Sequence, residues 1–232
     1  MNLHVGTSGY SYKEWKGTFY PDDLPGKGML RFYGERFRTV EINNTFYRMP
    51  KAEVLLAWAD EVPVDFRFAL KAPRSITHIK RLKDAEDSVP YLFKTASVLK
   101  DRLGPLLFQL PPNLKKDVPR LRAFLGLLPS GFRIAFEFRH ESWFDDEVFA
   151  VLRDQVAALC IAETDDGPDV PFMPTADWGY LRLRRTDYGE AELKRWAGLV
   201  REQDWREVYI FFKHEDEGKA PYMAEKFLQS AS

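Results

Sequence analysis

Residues 133–143 read RIAFEFRHESW. The stretch begins as an apolar run rich in the branched and aromatic residues that strands favour. It ends in Glu137, Arg139, His140, Glu141 and Trp143. Alternate side chains of a strand face the same side. Glu137 and Arg139 therefore share one face, and Phe136 and Phe138 the other. A carboxylate beside a guanidinium at the end of an apolar strand is costly to bury unless paired. This strand end is therefore a candidate site.

The same pattern recurs in both directions: a short β-run, a loop, then a stretch with helical spacing. Strands are expected over 3–8, 39–43, 67–72, 105–110, 133–138, 158–163, 179–183 and 207–212. Between them, Met29, Tyr33 and Phe37 step by four, and 52–61, 190–201 and 221–228 read as helices. Asp117 is placed to cap a helix whose apolar face is Leu121, Phe124, Leu125 and Leu128. Asp145 does the same for Val148, Phe149 and Leu152. Alternating strand and helix implies parallel strands joined by right-handed crossovers. Eight such strands close into an α/β barrel of the TIM (β/α)8 type. An open doubly wound sheet is the alternative, but no GxGxxG fingerprint follows the first strand. One unit is irregular. Residues 164–177, TDDGPDVPFMPTAD, hold three prolines and no helical period. The sixth helix is expected to be missing or vestigial.

Length and composition set the frame. A chain of 232 residues with 45% hydrophobic content suits one barrel domain over 1–232. Lys+Arg number 34 against Asp+Glu 35, a balance that argues against a dedicated nucleic-acid coat. The single cysteine, Cys160, excludes an internal disulfide and fits a reducing cytoplasm. No signal-like start and no membrane-length apolar run is present. A cytoplasmic protein with no membrane partner is expected.

Function is sought at the strand C-termini, where barrel enzymes keep their sites. Strand ends supply Glu41 and Asn43, Lys71, Gln109, Glu137 with Arg139 and His140, Glu163 and Asp165, Arg182 and Arg184, and Lys213 and His214. Parity puts Glu41, Gln109 and Arg182 opposite apolar partners that can pack on helices. Strand eight leaves Lys213 and His214 on opposite faces. Two long loops follow strands one and three. Residues 9–27 carry Tyr10, Tyr12, Trp15, Phe19 and Tyr20, and residues 73–89 carry the basic run HIKRLK (78–83). Loops of this length are often functional. Trp15, Trp143 and Trp178 are expected to flank the mouth. The competing structural reading is that Glu137–Arg139 and Glu41–Lys71 only neutralise buried charge. His4 and Cys160 read as structural.

Seven blocks in order carry a resemblance: GTSGYSYKEWKGTFYP (6–21), EINNTFYRMP (41–50), FALKAPRSITH (68–78), LGPLLFQLPP (103–112), FEFRHESW (136–143), YLRLRR (180–185) and FFKHEDEGKAP (211–221). Over essentially its whole length the chain resembles the domain-of-unknown-function 72, or YecE-like, family. The resemblance implies an irregular TIM barrel and brings no activity with it.

Three chemistries compete. An acid–base hydrolase or lyase would use Glu137 and Glu41 as acid and base. Lys71 and Arg139 would hold an anionic group, with Asn43, Gln109, His140 and Arg182 orienting the ligand. Tyr12, Trp15 and Trp143 would form a stacking wall. The abundance of cations points to a small molecule bearing carboxylate or phosphate. A metal-dependent phosphoesterase or isomerase would draw on His78, His140, His214, Glu41, Glu137, Glu163 and Asp165. No HxH or HExxH spacing supports it, so neither a resident metal nor a cofactor is expected. A non-catalytic binder of a nucleotide or nucleic-acid end would use the basic run and the tyrosine-rich loop.

Overall fold

The computed structural model of the protein describes residues 1–213 and 218–231. His214, one of the two strand-eight candidates, lies outside them. Eight strands alternate with helices: β1 Asn2–Ser8, β2 Thr39–Ile42, β3 Arg67–Lys71, β4 Leu103–Gln109, β5 Ile134–Glu137, β6 Ala158–Glu163, β7 Trp178–Leu183 and β8 Glu207–Phe212. Each pairs in parallel with the next, and β1 pairs with β8, so the sheet closes in sequence order. The expected TIM-like barrel is present. Residues 164–177 form no helix, because three prolines remove backbone donors at close intervals. Among the described residues no helix is long and apolar enough to cross a membrane.

The main helices are α1 Met29–Gly34, α2 Asn44–Tyr47, α3 Ala52–Glu61, α4 Ser88–Ala96, α5 Val118–Leu125, α6 Asp146–Asp154, α7 Glu190–Arg201 and α8 Lys219–Ala231. Both expected caps form. Asp117 accepts from Arg120 N at 3.0 Å, and Asp145 accepts from Glu147 N at 3.0 Å. Each satisfies a helix-start N–H that has no partner within its helix. The outward residues of the strands, such as Val40, Phe68, Phe108 and Phe136, pack against the helix layer.

The inward residues fill the cylinder unevenly, and that decides where the site can be. Large rings from β7 and β8, Trp178, Tyr180, Tyr209 and Phe211, oppose Ala69, Ala135, Ala158, Cys160 and Ala162. Bulky side chains facing small ones reach crystal-like density without strain. His4 stacks on Tyr209 at 4.4 Å between ring centroids, at the N-terminal end. Polar inward positions take over toward the C-terminal end, beginning with Arg182 at the level of Ala162 and Phe211. Trp178 begins β7 at the N-terminal end, so it does not flank the mouth.

Two further aromatics lie elsewhere than expected. Trp15 and Trp143 are fully buried, so neither forms a stacking wall for a ligand. Trp15 packs among Tyr12, Phe19 and Tyr20, while Trp143 stacks on Phe138 at 4.7 Å. The aromatic loop after β1 is thus a core element laid outside the barrel. Gly9 makes its departure possible: φ is +88°, and an added Cβ would meet the Tyr12 hydroxyl oxygen at 2.5 Å. Trp143 Nε1 donates to Leu114 O at 2.7 Å. Trp143→Phe is expected to cost about 2 kcal/mol, because a buried carbonyl loses its donor. Denaturant midpoints equal to wild type would show that the indole has no such role.

Candidate functional site

Four inward side chains meet at the C-terminal end of the barrel. Glu41 on β2, Gln109 on β4, Glu137 on β5 and Arg182 on β7 are each at most 4% exposed. Their backbones are fixed by the ladder, for instance Gln109 opposite Glu137. Arg182 is the hub. Its Nη2 donates to Glu41 Oε1 at 2.8 Å and its Nη1 to Glu137 Oε2 at 2.5 Å. One guanidinium joins both carboxylates, so their nearest oxygens lie within about 8 Å of each other, the sum of two hydrogen bonds and one guanidinium width.

Each carboxylate is further enclosed by donors. Glu41 accepts from Ser8 Oγ at 2.6 Å and Tyr180 Oη at 2.7 Å. Glu137 accepts from Gln109 Nε2 at 2.8 Å and Arg184 Nη2 at 3.0 Å, with Arg139 Nε at 3.6 Å. Burial alone would push both acids up. For Glu41, Arg182 and the two hydroxyl donors outweigh it and leave the acid below its ordinary value. For Glu137, Arg182, Arg184 and Arg139 together outweigh it and hold the acid at about 2. Both are ionised at neutral pH.

The expected Glu137–Arg139 pair is therefore present, but Glu41 pairs with Arg182 and not with Lys71. Lys71 ends β3, and its Nζ stands 4.1 Å from the centre of the Phe46 ring. No carboxylate among the described residues is close enough to pair with it. Burial and the charge on Arg182 lower its amine to about 8, against partial support from Glu137 and Glu41. His78 meets the same Phe46 ring at 4.8 Å and 84°. Thr77 Oγ1 holds its Nδ1 at 2.9 Å. Burial, then Lys71 and Arg139, push the imidazole below its usual value.

Three other expected contributors stand apart from this cluster. Asn43 begins the turn into α2, partly exposed, and lines a crevice of about 110 Å³ with Tyr12 and Trp58. Tyr12 Oη donates to Ser8 O at 2.8 Å, which ties it to the rim. His140 has the opposite parity to Glu137, and its Nδ1 accepts from Ser142 N at 3.2 Å, capping a short turn. Glu163 and Asp165 are engaged elsewhere: Trp196 Nε1 donates to Glu163, and Thr186 donates to Asp165. Among the described residues no three His, Cys, Asp or Glu side chains are grouped to hold a metal ion.

Ser8, Phe46 and Tyr180 were not singled out for the site from sequence, while Arg184 was read only as a strand end and His78 only as a possible metal ligand. Parity could have found Tyr180, which lies two residues before Arg182 and so shares its face, as Arg184 does two residues after it. Lys213 follows the same logic on β8. Its N–H extends the ladder to Leu183 O at 3.2 Å, so it keeps the inward parity of Tyr209 and Phe211. Phe46 and His78 sit in local turns, where strand parity has no meaning.

Comparison with known proteins bears on the whole chain. The family model described as "Protein of unknown function DUF72" matches residues 4–232. The UPF0759 protein YecE of Escherichia coli K12 is 33% identical over 61% of the chain, and the matched stretch spans half of that protein's length. The UPF0759 protein YunF of Bacillus subtilis 168 is 26% identical, over 91% of the chain and 78% of its own. A crystal structure of a DUF72 family protein from Thermotoga maritima MSB8 superposes with a TM-score of 0.88 at 28% identity, covering 99% of this chain and 98% of the other. With its barrel, its polar rim and a family match that runs nearly end to end, the chain belongs to the DUF72 family.

Proposed function

We propose that the C-terminal mouth binds a small molecule bearing a carboxylate or phosphate. One observation carries this reading. Around the two carboxylates Glu41 and Glu137 stand four cations, Lys71, Arg139, Arg182 and Arg184. Arg182 is spent on the carboxylates, but the cluster keeps an excess of two positive charges in a part-buried place. Concentrated like charge is costly unless an anion joins it. Arg184 is 12% exposed with its Nε buried and without a partner, and Arg139 is 36% exposed. These two guanidinium groups are the ones a ligand can reach.

An acid–base hydrolase built on Glu137 and Glu41 gains less support. Such a pair needs one carboxyl protonated near neutrality, and both are held in the ionised form. Their better-supported role is to orient the arginines. The nucleic-acid reading loses part of its stacking surface, because Trp15 and Tyr20 are buried while Tyr10, Tyr12 and Phe19 stay partly exposed.

The test is calorimetric titration with inorganic phosphate and with glycolate. Arg139→Ala is expected to weaken binding about tenfold or more, the loss of one charge-assisted hydrogen bond. Rising salt should weaken it too. Arg206→Ala, an 86% exposed arginine at the far end of the barrel, should leave it unchanged. Equal binding by wild type and Arg139→Ala would remove the reading.

A further inference from the structure

We propose that Lys71 is a nucleophile that condenses with the carbonyl group of an anionic aldehyde or ketone, forming an imine while Arg139 and Arg184 hold the substrate's anion. The inference rests on the anion-binding reading and assigns it a chemistry.

The placement of Lys71 argues for it. A lysine at the end of a barrel strand is ordinarily found with a carboxylate when it serves only to balance charge. Here the carboxylates are claimed by Arg182, Arg184 and Arg139, whose forked donors bind them better than an ammonium does. The Lys71 amine is left against the apolar face of Phe46. An aromatic face attracts the ammonium but does not neutralise it as a carboxylate would. Burial and the neighbouring Arg182 charge favour loss of the proton, and desolvated lysines beside other cations are the ones enzymes use as nucleophiles. Its acidity, shifted to about 8, leaves a useful fraction of free amine near neutral pH.

The surroundings supply what condensation requires. The Nζ lone pair forms the C–N bond, and the carbonyl π pair moves onto oxygen. That oxygen gains both amine protons and departs as water, so a neutral amine and a carbonyl give an imine and water. No oxidant or reductant takes part. Protons must pass from nitrogen to oxygen, and His78 is the nearby group suited to move them. It shares the Phe46 ring with Lys71 and is held at Nδ1 by Thr77. Burial, then the charges on Lys71, Arg139 and Arg74, push the imidazole below its usual value, which favours the neutral ring that can accept a proton.

The experiment traps the imine. The protein is incubated at pH 7.5 with sodium cyanoborohydride and either glyoxylate or glycolaldehyde phosphate, and the adducts are mapped by peptide mass spectrometry. Hydride from the reagent reduces the imine to a stable secondary amine. Lys71 is expected to be modified at least tenfold faster than the exposed Lys194, and Lys71→Met should lose that fast phase. Inorganic phosphate should slow it, as should Arg139→Ala. The faster of the two probes identifies the anion as carboxylate or phosphate. If phosphate binds in the calorimeter but Lys71 reacts no faster than Lys194, the imine is overturned and anion binding stands. If Lys71 reacts fast and phosphate neither binds nor protects, the substrate is not an anion and the proposal fails with the reading beneath it.

Discussion

Arg182→Met is expected to destabilise the protein by about 3–5 kcal/mol, the penalty for breaking a buried ion pair by removing one partner. A single guanidinium, 1% exposed, bridges two carboxylates that are at most 1% exposed themselves. Methionine fills much of the same volume, so packing loss is small, and the electrostatic penalty dominates. For a chain of this size the melting temperature should fall by roughly 10 °C. Adding Glu41→Gln to Arg182→Met should recover part of the loss, because Glu41 has no other cation paired with it among the described residues while Glu137 keeps Arg184 and Arg139. A single variant within 1 kcal/mol of wild type, or a double variant no better than the single, would mean that water or movement already relieves the carboxylates.

Acid should reveal the same network. Glu137 has an ordinary value of 4.5 and stands at about 2 in the fold. A carboxyl depressed in the folded state contributes stability that is complete above its unfolded value. That contribution is lost as pH falls through the folded value. The window is therefore pH 4.5 down to about 2, and the loss is about 3 kcal/mol. Glu41 is shifted in the same direction and adds to it. Other acids also titrate here, so the informative quantity is the wild-type stability minus that of Glu137→Gln. Urea midpoints measured from pH 7 to pH 2.5 should show this difference shrinking as pH falls. Parallel curves would show that Glu137 is not the group responsible.

The carboxylates, on this account, serve the arginines rather than the reverse. Buried acids that accept three or more donors are rigid supports. They fix Arg184 and Arg139 at the rim, where a ligand's anion can displace water from the guanidinium edges. Rigid support of a cationic rim is what selective anion binding requires, since little ordering entropy is then lost on binding. It also explains why Lys71 has no acidic partner among the described residues: the oxygens nearby are already taken by better-matched donors.

Much of this could be read from the amino-acid order. The apolar alternation of β-runs with helical stretches specified eight parallel strands, because each element must bury one face on its neighbour. The prolines of 164–177 announced a missing helix through lost backbone donors alone. Parity placed Glu41, Gln109, Glu137 and Arg182 on the inner face, since a strand repeats every two residues whatever surrounds it. What local order could not decide was partnership. Arg182 sits 141 positions from Glu41, and only closure of the cylinder brings that guanidinium, and not Lys71, to the acid. Nor could it tell a stacking ring from a core ring, because Trp15 and Trp143 are equally apolar in either place. Their burial follows from how the loop after β1 and the turn after β5 fold back over the outside of the barrel. Local periodicity is set by the backbone of each segment. Charge pairing and burial are set by distances between segments, and those exist only once the chain has folded.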